Sequence, residues 1–285
     1  MKQRVVTGVL GLLLFFGIMF FYDSFVFNVI LCAVALIAVH ELLLAIGATK
    51  NIPLTATALV TGVIPFLFFG INYNIDDNLK KNIIITASLA IFCIFLVIYF
   101  VSRKKLSFIK FVSTVFFSIA VPLMFSTLIL LRVKYDNYIG LYYTFLIFAC
   151  AWGSDTGAYF AGKFLGKHKL APKISPNKTV EGVIGGVFSC MIFVTLVTGG
   201  FYLVLKNMFN FTMHINFITL AIVSICASIV GVFGDLSASA IKRQCKIKDF
   251  GSILPGHGGV MDRFDSMLLI APFFFIILQF ITIAK

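Results

Sequence analysis

Residues 83–101 read IIITASLAIFCIFLVIYFV, nineteen residues without a charged side chain. A helix needs about 20 mostly apolar residues to cross the hydrocarbon core of a bilayer. This stretch therefore predicts a transmembrane helix, and similar stretches recur along the chain. The nine predicted spans are approximately residues 5–22, 25–48, 54–71, 83–101, 112–131, 139–161, 182–205, 217–236 and 266–283.

The composition of the whole chain supports this interpretation. Of its 285 residues, 60% are apolar and only 12% are charged, and the mean hydropathy is +1.06. Soluble domains are about 45–50% apolar and about 25% charged. These figures exclude a water-soluble globule, a disordered chain, a collagen-like chain and a disulfide scaffold. The predicted fold class is an all-α integral membrane protein with about nine transmembrane helices.

The basic residues predict how the chain is oriented. With a cytoplasmic N-terminus and nine spans, 17 basic residues lie inside and 6 outside, which accounts for all 23 Lys and Arg. Cytoplasmic loops carry the excess of Lys and Arg in membrane proteins. We therefore expect the N-terminus inside and the C-terminus outside. The net charge of +12 then reflects this bias and needs no nucleic-acid partner.

Most loops are short, but two predicted cytoplasmic loops, approximately 162–181 and 237–265, are long and polar. We expect them to form the functional site. The predicted organisation is one polytopic domain, 1–285, in which 1–138 supplies scaffold spans and 139–285 carries the catalytic spans and loops.

Four acidic residues lie at or inside predicted span ends: Glu41, Asp155, Glu181 and Asp235. A charge near the bilayer centre costs about 2.5–3.5 kcal/mol on insertion scales, so each is a functional candidate. For Glu41 a structural role, paired with a basic residue on a neighbouring helix, is the alternative.

Small residues surround Asp155. Gly153 and Gly157 are four residues apart, as are Ala158 and Gly162. Small residues at this spacing let two helices approach closely, so close helix packing is predicted beside Asp155.

The first long loop ends with SPNKTVEG, residues 175–182. Pro176 and Asn177 predict a turn. Thr179 is suited to cap the following helix, with Glu181 in its first turn. Lys173 and Lys178 lie beside this helix start, where free N–H groups favour anions, so an anion site is predicted here.

The second long loop and its flanking helices contain the strongest pattern. Asp235 and Ser239 are four residues apart on one helix face, and Asp262 and Asp265 are three apart on another. Three carboxylates at helix ends form an oxygen-rich site of the kind that Mg²⁺ prefers. The basic residues nearby are Lys242, Arg243, Lys248 and Arg263. Carboxylates with a metal, surrounded by Lys and Arg, indicate phosphoryl or nucleotidyl transfer.

Between these groups lies PGHGG, residues 255–259. Gly258 and Gly259 allow close backbone approach to a phosphate. His257 has no second His or Cys at the spacing of a zinc site. We therefore expect it to donate a hydrogen bond to a phosphate or to act as a hinge in the backbone.

The run from Ser239 through Lys242-Arg243, Lys248-Asp249 and His257-Gly258-Gly259 to Asp262-Arg263-Phe264-Asp265 resembles the signature of the phosphatidate cytidylyltransferase (CDP-diacylglycerol synthase) family. Residues 155–159 and 175–182 look like two further motifs of that family, in the usual order. The resemblance is strong over approximately 140–285. The one departure is Asn177, where many members carry Lys.

The resemblance implies transfer of CMP from CTP to phosphatidic acid, giving CDP-diacylglycerol and pyrophosphate for phospholipid synthesis. The metal ligands it implies are Asp235, Asp262 and Asp265, which would hold Mg²⁺, with a second cation left open. The other catalytic residues expected are Lys242, Arg243, Arg263 and His257. The residues expected to bind substrate or lie close to the metal are Lys173, Ser175, Lys178, Thr179, Glu181, Ser239, Lys248, Asp249, Gly258, Gly259 and Asp155.

The expected partners are CTP, phosphatidic acid and the bilayer, and a homodimer is left open. The expected location is the bacterial cytoplasmic membrane, with the site on the cytoplasmic side. One alternative is a CTP-dependent polyprenol kinase, against which the full signature argues. Another is a multispan transporter, which usually shows two related halves; here the two halves differ sharply in polarity.

Overall fold

The computed structural model describes residues 2–70, 77–102, 104, 106–135, 137–253, 256 and 258–284. Within them the chain forms helices joined by short connections and one small hairpin. The elements are α1 (Lys2–Phe20), α2 (Phe25–Ala45), α3 (Ile52–Gly70), α4 (Asp77–Ser102), α5 (Phe108–Lys134), α6 (Asn137–Leu165), β1 (Lys169–Ala171), β2 (Ser175–Thr179), α7 (Val180–Phe209), α8 (Phe217–Gln244), α9 (Met261–Phe264) and α10 (Met267–Ile277).

Six of these helices are long and apolar enough to cross a membrane: α2, α3, α4, α5, α7 and α8. Shorter apolar helices cover Thr7–Phe20 and Met267–Ile277. Large apolar side chains such as Phe188, Leu196 and Phe233 are exposed on α7 and α8, where lipid rather than water suits them. The chain is therefore an α-helical membrane protein with several spans. The count of nine spans and the orientation stay predictions.

Each predicted span has a helix at its position, but several boundaries differ. Helix α3 continues through Pro65, as helices in lipid tolerate. Helices α6 and α8 continue beyond their predicted spans to Leu165 and Gln244, which shortens both long loops. Helix α10 ends at Ile277, well before the predicted end of the last span.

The described chain divides into two compact units: Met1–Ile129 with Asp249–Asp262, and Leu130–Lys248 with Arg263–Lys285. This division joins Asp249–Asp262 to the N-terminal helices, whereas the sequence pattern groups it with the second half. The prediction of one domain with a scaffold half and a catalytic half stays a prediction.

In the first unit, helix α2 packs against α3, and α3 packs against α4. A buried cluster joins Leu54 of α3, Phe95 of α4, Phe111 of α5 and Leu106, which precedes α5. The ring of Tyr99 lies 4.8 Å from that of Phe111, so aromatic packing closes this cluster.

In the second unit, helices α6 and α7 form the most extensive contact, and α8 and α10 pack beside them. Two buried hydroxyl pairs join the helices: Ser154 with Ser228 at 2.8 Å, and the Tyr142 hydroxyl with Thr198 at 2.9 Å. Buried polar groups must be paired in an apolar interior, so these pairs fix how the helices meet.

Candidate active site

The close packing predicted beside Asp155 is confirmed, and it is made by glycines on α6 and α7. A Cβ atom on Gly157 would lie 2.2 Å from the Ser189 Cβ, and one on Gly185 would lie 2.1 Å from the Ala161 Cβ. Real Cβ atoms do not approach so closely, so the two backbones meet only because these positions lack side chains. This contact places the part of α6 that follows Asp155 against the first half of α7.

The loop between α6 and α7 contains an antiparallel hairpin, which the all-α prediction missed. Lys169 pairs with Thr179, and Ala171 pairs with Ser175. The turn consists of residues 172–174, closed by the Ile174 N–H donating to the Ala171 carbonyl at 3.1 Å. The prediction of a turn at Pro176 and Asn177 is therefore wrong, because both lie in strand β2. Proline is tolerated there because the sheet has only two strands, and both are edges.

Helix α7 begins as predicted. The Thr179 side chain accepts a hydrogen bond from the Gly182 N–H at 3.1 Å, which caps the helix. The carboxylate of Glu181, in the first turn, accepts from the N–H groups of Lys167 at 3.1 Å and His168 at 3.2 Å. His168 Nδ1 also lies 2.6 Å from Glu181 Oε1. Glu181 thus ties the end of the α6–β1 link to the start of α7.

Three carboxylates of the second unit, those of Asp155, Asp235 and Asp265, interact electrostatically. Partial burial raises the pKa of the Asp265 carboxyl above its usual range, and the charges of Asp235 and Asp155 raise it further, against the lowering effect of Lys242. The charges of Asp235 and Asp155 thus add to the effect of burial in disfavouring the ionised form of Asp265. The pairing of Ser239 with Asp235 is confirmed, since the hydroxyl donates at 3.2 Å.

Ser266 links two of these acids. Its N–H donates to Asp265 Oδ1 at 2.8 Å, and its hydroxyl lies 3.3 Å from Asp155 Oδ2. Ser266 is buried, and it was not among the predicted site residues. Its position directly after Asp265, at the start of a helix, is the local signal that could have found it.

The basic residues lie around this group in different ways. Lys178 Nζ is 2.5 Å from Asp235 Oδ2, and the charge of Arg263 acts on Asp155. The Arg243 Nε donates to the Ile174 carbonyl at 3.2 Å, across to the hairpin turn. Lys173 is exposed in that turn. Lys178 of the hairpin and Lys242 of α8 therefore act on the acids, whereas Arg243 contacts the hairpin backbone.

The segment Asp249–Asp262 belongs to the first unit. Asp262 Oδ2 accepts hydrogen bonds from the N–H groups of Phe250 at 2.8 Å and Gly259 at 3.0 Å. Gly258 has a φ of +83°, a conformation that favours glycine. Asp249 is exposed, and the predicted site residue His257 lies outside the described residues. Asp262 thus binds the backbone at Phe250 and at Gly259 together.

Glu41 lies in helix α2 and is 1% exposed. Its carboxylate accepts from the N–H groups of Val260 at 3.0 Å and Met261 at 2.8 Å. The sequence marked Glu41 as a candidate but suggested a basic side chain as its structural partner. The described partners are backbone N–H groups more than two hundred residues along the chain, for which no local pattern exists.

The donor chemistry of the acidic group fits a hard cation. Asp155, Asp235 and Asp265, with the hydroxyls of Ser239 and Ser266, offer oxygen alone, and Mg²⁺ prefers oxygen. Among the described residues no three His, Cys, Asp or Glu side chains converge closely enough to hold a metal ion as they stand. The predicted set of Asp235, Asp262 and Asp265 stays a prediction.

A helical membrane protein in which carboxylates lie beside Lys and Arg has groups suited to an enzyme that acts on phosphate esters. The chain belongs to the cytidylyltransferase family, whose model matches residues 2–281.

Curated relatives agree with this assignment. The chain is 35% identical to the phosphatidate cytidylyltransferase of Bacillus subtilis (strain 168), over 98% of this chain and 97% of the relative. It is 34% identical to the phosphatidate cytidylyltransferase of Staphylococcus haemolyticus (strain JCSC1435), over 98% of this chain and 99% of the relative. The phosphatidate cytidylyltransferase of Staphylococcus aureus (strain COL) is 48% identical over 139 residues, which is 49% of this chain and 50% of that relative.

Proposed function

We propose that this chain transfers CMP from CTP to phosphatidic acid, giving CDP-diacylglycerol and pyrophosphate for phospholipid synthesis. The observation that carries the proposal is the similarity to the phosphatidate cytidylyltransferase of Bacillus subtilis, which extends over 98% of this chain. The acidic and basic side chains that α6, α8 and β2 bring together support it, because both substrates are phosphate esters.

In the proposed reaction a phosphate oxygen of phosphatidic acid attacks the α-phosphorus of CTP. The bond from the α-phosphorus to the bridging oxygen breaks, and pyrophosphate leaves with the electron pair. No protein nucleophile is needed, so the chain contributes positioning and charge. The positive charges of Lys242, Arg243 and Arg263 are assigned to the triphosphate and the lipid phosphate.

The hairpin and the start of α7 supply a second set of phosphate contacts in this proposal. Lys178 and Lys173 bring positive charge, and the capped start of α7 brings N–H groups that favour an anion. Ser175, Thr179 and Glu181 are also assigned to substrate binding. Thr179 caps α7 as well, and Glu181 accepts from the Lys167 and His168 N–H groups. In the signature that begins at Ser239, this serine orients Asp235. The residues Lys248, Asp249, Gly258 and Gly259 are assigned to substrate binding. His257 is assigned either as a hydrogen-bond donor to a phosphate or as a hinge.

We propose Mg²⁺ as the cofactor. Asp235, Asp262 and Asp265 are the ligands that the sequence pattern assigns to it, with Asp155 nearby. A bound divalent cation would neutralise charge that develops on the reacting and leaving oxygens. The oxygen donors described in the second unit support this choice of cation.

We further propose nine membrane spans, at α1–α8 and at approximately 266–283, where α10 forms the first part, with a cytoplasmic N-terminus and the reaction on the cytoplasmic side. The excess of basic residues in the predicted inside loops supports this orientation. CTP would then arrive from the cytoplasm, while the acyl chains of the lipid stay in the bilayer.

The test uses the purified protein in detergent, phosphatidic acid, and CTP labelled at either the α- or the γ-phosphate, with and without Mg²⁺. We expect lipid-soluble label from α-labelled CTP only, in the presence of Mg²⁺. Lipid label from γ-labelled CTP would contradict the proposal and indicate a CTP-dependent lipid kinase. Transfer in micelles, without any gradient, would also exclude transport as the main role.

A further inference from the structure

The buried carboxylate of Glu41 is fully engaged by the backbone of the signature segment Asp249–Asp262. Oε1 accepts from the Val260 N–H and Oε2 accepts from the Met261 N–H. Hydrogen bonds to a carboxylate are roughly twice as strong as neutral ones. A carboxylate buried to this degree is tolerated only when it is hydrogen-bonded. Glu41 therefore holds two consecutive residues of the segment at a fixed place on helix α2.

Two glycines of the segment make room for this carboxylate. A Cβ atom on Gly251 would lie 2.3 Å from Glu41 Oε1, and one on Gly259 would lie 2.5 Å from Oε2. The segment thus passes Glu41 twice, at both points without a side chain. The backbone at Gly251 and at Gly259 lies directly against the Glu41 carboxylate.

Asp262 fastens the same segment from within, through the N–H groups of Phe250 and Gly259. Glu41 and Asp262 together bind four of its backbone N–H groups. Asp249, Gly258 and Gly259 lie on the backbone that these bonds shape. Each is assigned to substrate binding in the proposed function.

We propose that Glu41 is a positioning residue for the reaction: it fixes the backbone at Val260 and Met261 and so sets the places of Gly258, Gly259 and Asp262. This proposal rests on the proposed function. In this proposal Glu41 contacts neither CTP nor phosphatidic acid. It affects the reaction only by positioning the backbone of the segment Asp249–Asp262.

Glu41→Gln is the first test. The amide keeps the shape of the side chain and one acceptor oxygen, but its NH₂ group faces a backbone N–H and cannot accept from it. We expect kcat/KM for CTP to fall about tenfold, the lower end of the range seen when a hydrogen-bond partner of a site residue is lost, with a raised KM for CTP as part of that loss. A role in overall folding alone would lower the active fraction and leave the KM for CTP unchanged.

Gly251→Ala tests the same contact without changing Glu41. The new methyl group would displace the buried carboxylate from its two N–H donors, so we expect the same rise in the KM for CTP. Gly199→Ala is the matched control, since a Cβ at Gly199 meets nothing within 4 Å, and it should behave as wild type. Hydrogen exchange should quicken in peptides covering 249–262 of both test variants, but not in those covering α7.

The outcomes separate the two proposals. Absence of CMP transfer in the wild-type protein overturns the proposed function and the role of Glu41 with it. An active wild type whose Glu41→Gln and Gly251→Ala variants keep the wild-type KM for CTP overturns the positioning role alone. A raised KM for CTP in both variants, with faster exchange confined to 249–262, supports it.

Discussion

Two regions that carry predicted site residues are stabilised by different interactions. The α6–hairpin–α7 region is fixed by packing, because glycines such as Gly157 and Gly185 let two helix backbones meet. The segment Asp249–Asp262 is fixed by hydrogen bonds, because Glu41 and Asp262 accept from its backbone N–H groups.

This difference predicts whether a substitution in each region lowers stability or activity. Packing between helices depends on volume, so an added methyl group at the contact should harm folding before chemistry. A loop held by carboxylates depends on a few acceptors, so it can change shape while the helices stay folded. Variants in the two regions should therefore separate loss of stability from loss of activity.

The largest expected effect is in the hydrogen-bonded segment. Asp262→Asn keeps a carbonyl oxygen that can accept from the Phe250 and Gly259 N–H groups, but removes the charge proposed to bind the cation. We expect CMP transfer to fall by about 10³-fold, with membrane insertion and thermal stability near wild type. Near-normal activity of the purified variant would contradict the metal assignment, and unfolding would show that the carboxylate charge also holds the loop.

In the packed region, Gly185→Ala should act on stability. Its Cβ would lie 2.1 Å from that of Ala161, and overpacking of this kind costs about 1–3 kcal/mol. We expect a lower unfolding temperature in detergent. The double variant Gly185→Ala/Ala161→Gly moves the methyl group to the other helix, where the next neighbours are 3.3 Å and 3.6 Å away, and should recover most of the loss. Failure of the double variant to recover would show that the contact is not steric.

The sequence predicted what depends on local pattern. A membrane span needs a run of apolar residues, so each predicted span has a helix at its position. The cap at Thr179, the pair of Asp235 and Ser239, and the close contact of α6 with α7 each follow from spacings of three or four residues. Each of these features depends on residues within one or two helical turns, so the sequence alone was enough to predict them.

Long-range contacts could not be predicted in this way. The link between Ser266 and Asp155 joins residues 111 apart, and Glu41 meets Val260 across 219 residues. The turn was misplaced at Pro176 because the register of strands β1 and β2, not local turn propensity, decides where the hairpin reverses. The functional interpretation came from the signature resemblance, whereas the backbone contacts of Glu41 and Asp262 came only from the structure.

A third variant tests charge in the packed region. Lys178→Met removes the cation that lies 2.5 Å from Asp235 Oδ2, while Lys178→Arg keeps the charge. If Lys178 helps bind the triphosphate, the Met variant should raise the KM for CTP about tenfold, equal to about 1.4 kcal/mol, and the Arg variant should change it less. Initial rates at varied CTP measure this. Equal KM values in wild type and the Met variant would limit Lys178 to pairing with Asp235.

The smallest effect is expected at the helix cap. Thr179→Ala removes the oxygen that accepts from the Gly182 N–H, which should lower the free energy of unfolding by about 1 kcal/mol. Thr179→Ser keeps the acceptor and should lose less. Because Thr179 is buried and its hydroxyl is engaged by the helix, the substrate contact assigned to Thr179 would be made by its backbone. We therefore expect the KM for CTP to stay within about twofold of wild type in both variants. A marked rise in the KM for CTP of the Ala variant at full stability would instead make the Thr179 hydroxyl a substrate contact. The packed region would then bind substrate through this hydroxyl as well as through its lysines.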